Sequence, residues 1–224
     1  MNNVYVVIPA YNEEKTITQV IHDVQQYTRQ IIVVDDGSVD NTVALAQKEG
    51  VVVLRHIVNR GQGAAIKTGI DFALIYGADI IVTFDSDGQH IGSDIPRVIQ
   101  PILDGKVDVV IGSRFLDKKS NVPFKRKIVL KLAILFTWMV NGIKLTDAHN
   151  GLRAFSRRAA QKINIKQDRM AHASEIIREI GKHKLSFQEI PVTIRYTDYS
   201  MQKGQKALDS LKIVFDLIMG EVRK

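Results

Sequence analysis

Asp85 and Asp87 stand one residue apart in Ile80-Ile81-Val82-Thr83-Phe84-Asp85-Ser86-Asp87-Gly88-Gln89-His90, where an apolar, β-branched run stops at two carboxylates. Such a run predicts a buried parallel strand, and open α/β sheets bind ligands beyond the carboxyl ends of their strands. Period-2 spacing lets the two carboxylates share a face of extended chain, and a turn at Gly88 brings Gln89 beside them. Two or three hard oxygens of this kind suit Mg²⁺ or Mn²⁺, with positions left open for substrate phosphates. The same residue types also make an ordinary N-capping turn at a strand-to-helix junction.

Other clusters carry chemistry of their own. The turn Pro9-Ala10-Tyr11-Asn12-Glu13-Glu14 lacks the glycines of a dinucleotide-binding turn. It reads either as a base or ribose contact or as a plain turn whose acids favour a helix dipole. In Asp35-Asp36-Gly37-Ser38 a carboxylate can accept the imino proton of uracil or guanine, and Asp40 or Asn41 can cap the helix that follows. Asn59-Arg60-Gly61-Gln62-Gly63 looks superficially like a phosphate loop but lacks the Gly-Lys-Ser/Thr ending. Arg60 and Lys67 are expected near the sheet edge that carries the carboxylates. In Thr146-Asp147-Ala148-His149-Asn150-Gly151-Leu152-Arg153, Asp147 or His149 offers a base and Arg153 an anion contact. A satisfied turn aspartate and a surface histidine are the plainer alternatives.

These residues need a frame to bring them together, and the chain alternates strand and helix signals. Strands are predicted at Val4–Ile8, Gln30–Val34, Val51–Leu54, Ile80–Phe84 and Val107–Ile111. Helices are predicted at Glu13–Gln26, Thr42–Lys48, Ala64–Tyr76 and Ile95–Leu103, the last after a Ser93-Asp94 cap. Repeated βα units imply an α/β fold with a mostly parallel, doubly wound sheet. Beyond residue 115 come a basic loop, an apolar helix, a polar loop, a helix at Ala173–Lys182, a strand at Gln188–Arg195 and a last helix near Lys206–Met219. No linker or repeat interrupts the chain, so the expectation is a single domain over 1–224.

Composition narrows the partners. A net charge of +7 points to an anion: nucleic acid, a phosphorylated substrate or an acidic membrane surface. The absence of cysteine excludes disulfides, thiolate metal sites and a cysteine nucleophile. Basic residues are not interleaved with stacking aromatics, so no nucleic-acid partner is expected. No signal peptide precedes the first strand, and a cytoplasmic chain is expected. The apolar stretch from Ile128 to Val140 contains Lys131 and is shorter than the ~20 residues a bilayer span requires. Lys118, Lys119, Lys125, Arg126 and Lys127 adjoin it, which suits a helix lying in a membrane interface as well as a core helix.

Taken in order, Val-Ile-Pro-Ala-Tyr-Asn-Glu at 7–13, Val-Asp-Asp-Gly-Ser at 34–38, Asn-Arg-Gly-Gln-Gly-Ala-Ala at 59–65 and Asp85-Ser86-Asp87 resemble a family 2 glycosyltransferase of the GT-A (Rossmann-like) fold. Asp85 to His90, Gly112-Ser113-Arg114 and Thr146 to Arg153 resemble its dolichol- and polyprenyl-phosphate sugar synthases. The resemblance implies a nucleotide-sugar half over about 1–115 and an acceptor half, with interface-type helices, over about 116–224. It implies that Pro9, Ala10, Tyr11, Glu13 and Asp36 hold base and ribose, and that Asp85, Asp87 and Gln89 gather Mg²⁺ or Mn²⁺ on the donor diphosphate. Arg114 and Arg126 would grip the acceptor phosphate. Asp147, Asn150, Gly151 and Arg153 would shape the sugar pocket, with Glu175 touching a sugar hydroxyl. Lys203 and Lys206 fall where the subfamily has a mobile basic loop over the donor.

The implied partners are a UDP- or GDP-sugar donor and a polyprenyl phosphate or lipid-linked glycan acceptor, met peripherally at the cytoplasmic membrane face. No transmembrane tail is expected, so contact with the membrane would use interface helices or a small membrane subunit. The implied chemistry is metal-dependent transfer with inversion at the anomeric carbon. A phosphate acceptor needs no strong base; a sugar hydroxyl would need one, and Asp147 is then first choice. A non-catalytic scaffold on the same fold is the alternative of another class.

Overall fold

Along Val6-Val7-Ile8, side chains alternate between the two faces of a sheet, and all three are fully buried. A strand apolar on both faces requires cover on both. The structure, a computed structural model, describes residues 3–116 and 143–195. Strands β1 (Val4–Ala10), β2 (Ile31–Asp35), β3 (Val52–Arg55), β4 (Ile80–Thr83), β5 (Val109–Ser113), β6 (Arg153–Ser156) and β7 (Phe187–Pro191) form one sheet. Their order is β3-β2-β1-β4-β6-β5-β7, parallel except where β6 runs against β4 and β5.

Helices α1 (Ile17–Gln25), α2 (Thr42–Lys48), α3 (Gln62–Ile75), α4 (Ile95–Leu103), α5 (Arg157–Lys162) and α6 (His172–Lys182) complete the layers. Ile17, Ile21 and Val24 of α1 and Val98 of α4 pack with Val6 and Ile8. Ala65 and Ile66 of α3 and Ile176 and Ile180 of α6 pack with Val7 on the other face. Each layer places its loops over the carboxyl ends of β1, β2, β4 and β5, where the candidate residues lie. Among the described residues no helix is long and apolar enough to cross a membrane.

The local differences from expectation have identifiable causes. Helix α1 begins at Ile17 rather than Glu13, because Glu13 N donates to Thr42 Oγ1 and Glu14 N to Asp40 Oδ2. Asp94 stands at the N-cap position of α4 but its side chain makes no capping hydrogen bond: a 3₁₀ turn, Gly92–Asp94, leads in, and the carboxylate binds Thr193 N and Arg97 instead. Strand β7 stops at Pro191, since Thr193 N turns to Asp94 and Arg195 N to Gln89 O. Strand β6 and helix α5 have no counterpart in the periodicity reading. Four residues wedged between two strands show no alternation to reveal them. The basic run from Lys118, the apolar stretch to Val140 and the final helix lie outside the described residues, as do Arg126, Lys203 and Lys206.

Candidate active site at the carboxyl edge of the sheet

Phe84 is buried beneath the turn that follows β4, and Asp85 stands just above it. One Asp85 oxygen accepts a hydrogen bond from Gln62 Nε2 at 2.8 Å, at the start of α3. The other lies 3.1 Å from His90 Nε2. His90 Nδ1 is buried without a partner among the described residues, so Nε2 is the ring nitrogen that meets Asp85, with an N–H to donate. Burial raises the Asp85 carboxyl. The His90 hydrogen bond and charge, with His172 and Arg153 beyond, outweigh it and hold the group below the ordinary carboxylate range.

Asp87 behaves in the opposite sense. Its Oδ1 accepts from Gln89 N at 3.0 Å, yet burial and the Asp85 charge push its carboxyl up to about 6. Two carboxylates that resist joint ionisation are what a divalent cation relieves, and their hard oxygens fit Mg²⁺ or Mn²⁺. Among the described residues no group of three or more His, Cys, Asp or Glu side chains forms a metal cage. The pair therefore fits an ion that takes its remaining ligands from substrate or water.

Gly151 gives Asp85 room. Its carbonyl accepts the Thr83 hydroxyl at 2.7 Å, and a Cβ there would lie 2.0 Å from Asp85 Oδ2. Register explains the closeness: Arg153 opens β6 opposite Thr83 of β4, so the preceding turn must pass over the end of β4.

Several sequence-derived roles change once partners are visible. Asp36 is not a free carboxylate over a base. It accepts from Arg60 N at 3.0 Å and Gly61 N at 2.6 Å, and pairs with His56 Nδ1 at 2.7 Å. It holds the 56–61 loop in place. That loop is no phosphate cradle, because Ala64 N is taken by Asp168 O, and a Cβ on Gly63 would sit 2.0 Å from Gln167 O. Its glycines let the 167–169 backbone approach. Lys67 pairs with Asp71 in a cleft between α3, α5 and α6, lined also by Lys162, Glu179 and Lys182. It does not join the carboxylates.

Pro9 and Ala10 finish β1, and the turn after them is tied to the next loop by Asn12 N to Ser38 Oγ at 2.8 Å. Tyr11 is partly exposed there, and Glu13 is buried close enough to add to the upward push on Asp87.

The 146–153 loop is a buried scaffold. Asp147 is fully buried, accepting from Arg114 N at 3.1 Å and Arg114 Nε at 2.5 Å on one oxygen and from His149 N on the other. A carboxylate so occupied is an anchor for Arg114 and not a base. Asn150 Oδ1 accepts from Leu152 N, closing an Asx turn rather than facing a sugar. Arg153 donates to the carbonyls of Asn150, Ala148 and Ala173, so it braces protein rather than gripping an anion. Burial, despite Asp147 and Asp85 nearby, brings it down to about 10. Glu175 accepts from Lys166 N and Gln167 N and pairs with Arg178, leaving it a loop anchor. Gln62 was not singled out by sequence. Its only signal is a polar residue between two glycines at a helix start, and Asp85 is remote from it in the chain.

His172 and His149 sit beside this cluster, and burial with the Arg153 charge pushes each down to about 4. His149 is thereby neutral at pH 7 and a weak base. His172 Nδ1 donates to Arg169 O at 2.8 Å, which also suits the neutral ring. An unfolded histidine binds its proton near 6.5, so between about 6.5 and 4 the unfolded chain holds more protons. Stability is complete above that window and falls as pH drops through it. His172→Asn is expected to remove one share: between pH 7.5 and 5 the parent loses roughly 2 kcal/mol more than the variant in urea unfolding. Equal losses would refute the assignment.

Comparison with known proteins agrees with this architecture. Residues 5–164 match the family model described as glycosyl transferase family 2, and the chain belongs to that family. It is a glycosyltransferase of the GT-A fold. It is 36% identical to the UDP-N-acetylglucosamine–dolichyl-phosphate N-acetylglucosaminyltransferase of Methanococcus voltae, over 99% of this chain and 97% of that protein. It is 31% identical to the dolichol-phosphate mannosyltransferase of Pyrococcus furiosus, over 97% of this chain but 64% of that one. Among solved structures, glucosyl-3-phosphoglycerate synthase from Mycobacterium tuberculosis, in complex with Mn²⁺, UDP and phosphoglyceric acid, superposes with a TM-score of 0.75. At 19% identity, over 97% of this chain and 76% of that one, it speaks for the fold.

Proposed function

We propose that this glycosyltransferase moves a sugar from a nucleoside-diphosphate sugar to a polyprenyl phosphate of dolichyl type, with inversion, working peripherally at the cytoplasmic membrane face. The observation that carries the reading is the Arg114–Asp147 pair. Beside the end of β5, Asp147, the candidate base of the 146–153 loop, is buried and already bonded, and what it holds is a guanidinium. That arrangement fits an acceptor that arrives as an anion and needs no deprotonation, and it does not fit a sugar hydroxyl. The relatives support it by their names, two of which specify a dolichyl or dolichol phosphate.

Asp85, Asp87 and, from the same turn, Gln89 would hold Mg²⁺ or Mn²⁺, which when bound stabilises charge on the departing diphosphate as a Lewis acid. The chain's own residues do the rest. Gln62 and His90 fix the Asp85 carboxylate, so it need not reorganise as charge develops. The 9–13 turn and the loop held by Asp36 border the space for the nucleoside. Arg114 meets the acceptor phosphate and orients an oxygen toward the anomeric carbon.

Purified protein with polyprenyl phosphate and UDP-N-acetylglucosamine, then GDP-mannose, tests the proposal. Release of nucleoside diphosphate is expected to require the lipid phosphate, to stop with EDTA and to return with Mn²⁺. Thermal stabilisation by UDP or GDP in Mn²⁺ identifies the base, since ligand at ~100 times Kd adds about 2.7 kcal/mol. Turnover that needs a saccharide acceptor and ignores polyprenyl phosphate would overturn it.

A further inference from the structure

Glu189 lies at the middle of β7, in register with Ile111 of β5 and away from every position named by motif. Its carboxylate takes Thr146 N at 2.9 Å on both oxygens, the Thr146 hydroxyl at 2.8 Å and Asp147 N at 3.0 Å. The Thr146 hydroxyl also lies 2.7 Å from Ser113 Oγ, on the residue before Arg114. Asp147 then holds Arg114 through both its backbone N–H and its Nε, and an Arg114 terminal nitrogen donates to His149 O at 3.3 Å. One edge-strand carboxylate thus fixes a turn, and that turn fixes the guanidinium.

We propose that Glu189 is a positioning residue for the acceptor phosphate, acting through Thr146 and Asp147 on Arg114. The inference rests on Arg114 meeting that phosphate. Arginine is a long side chain with many rotamers, and its planar fork recognises phosphate only when aimed. Asp147 supplies the aim, but it lies on a loop, and a loop carboxylate orients nothing unless its backbone is held. Glu189 holds it from the sheet. Three donors converge on Glu189 Oε1, two N–H groups and a hydroxyl, so the position calls for an acceptor. A glutamine amide can keep its oxygen there but turns an NH₂ toward Thr146 N; an alanine leaves the donors without their partner.

Steady-state kinetics with both substrates varied, on the full chain, decide the matter. Glu189→Ala is expected to raise the acceptor KM about ten-fold, with donor KM and nucleotide thermal shift held within about two-fold, and Glu189→Gln to fall between. Arg114→Ala should raise the acceptor KM further, and adding Glu189→Ala to it should change nothing more, because the brace then has nothing to aim. A general weakening of the fold would instead multiply with Arg114→Ala and lower donor binding as well; that result overturns the proposal. So does an unchanged acceptor KM in Glu189→Ala while Arg114→Ala raises it. If Arg114→Ala itself leaves the acceptor KM alone, the acceptor-site reading falls instead. Should Glu189→Ala fail to fold, Glu189→Gln carries the same cycle, and multiplication of its effect with Arg114→Ala refutes the coupling.

Discussion

Gly151→Ala is expected to lower kcat/KM by about 100-fold or more while leaving a folded protein. The added methyl would lie 2.0 Å from Asp85 Oδ2, 2.5 Å from Cγ and 2.6 Å from Oδ1, so it meets the whole carboxylate. Gly151 cannot retreat, because its carbonyl is held by Thr83 Oγ1 and the next N–H by Asn150 Oδ1 at 2.9 Å. Asp85 must move, giving up Gln62 and His90. Gly151 is not among the positive-φ glycines, so alanine is not barred by its backbone angles. What the variant reports is the carboxylate's displacement. Overpacking of this kind costs about 1–3 kcal/mol of stability, and urea unfolding checks that the loss of turnover exceeds any loss of fold. Activity within about five-fold of the parent would show that Asp85 tolerates displacement and has no place in the reaction.

Asp87→Asn is expected to reduce kcat by about 1000-fold, the scale of losing an electrostatic group that acts on developing charge. It should also abolish the Mn²⁺-dependent part of the nucleotide thermal shift, because an amide is a poor substitute for a carboxylate toward a hard cation. Without nucleotide and metal the variant should be no less stable than the parent at pH 7. Burial and the Asp85 charge already oppose the ionised form, pushing the group up to about 6, and an uncharged isostere lifts that opposition. Lost activity with undiminished stability separates a functional carboxylate from a structural one. A variant that still binds nucleotide in a Mn²⁺-dependent way would exclude Asp87 from the metal site.

The two carboxylates and the glycine differ in how plainly the chain announces them. Asp85 and Asp87 follow an apolar run, and a strand's end is where a parallel sheet presents its ligands. Helices Thr42–Lys48 and Ile95–Leu103 were legible because their apolar spacing is local. The family was legible because the ordered short motifs of the first 90 residues lie on successive βα turns. Strand β6 was not, since its residues earn their strand only by lying between β4 and β5. Roles inside the site divide along the same line. Asp36, Asp147, Asn150 and Arg153 are polar residues at a sheet edge, and residue type cannot say whether a polar group faces a ligand or its own backbone. Each turned out to face backbone or a neighbouring side chain.

By itself the sequence determined the alternation of strand and helix, the buried run that ends at Asp85 and Asp87, and the family, because all are written in neighbouring residues. Only the tertiary structure decided that Gln62 and His90 share Asp85, that Gly151 makes room for it, and that Glu189 stands behind Asp147 and Arg114. Those pairings join residues up to 68 positions apart: Thr83 Oγ1 to Gly151 O spans 68 and Thr146 to Glu189 spans 43. Sheet order and register set such distances, and no local pattern encodes them.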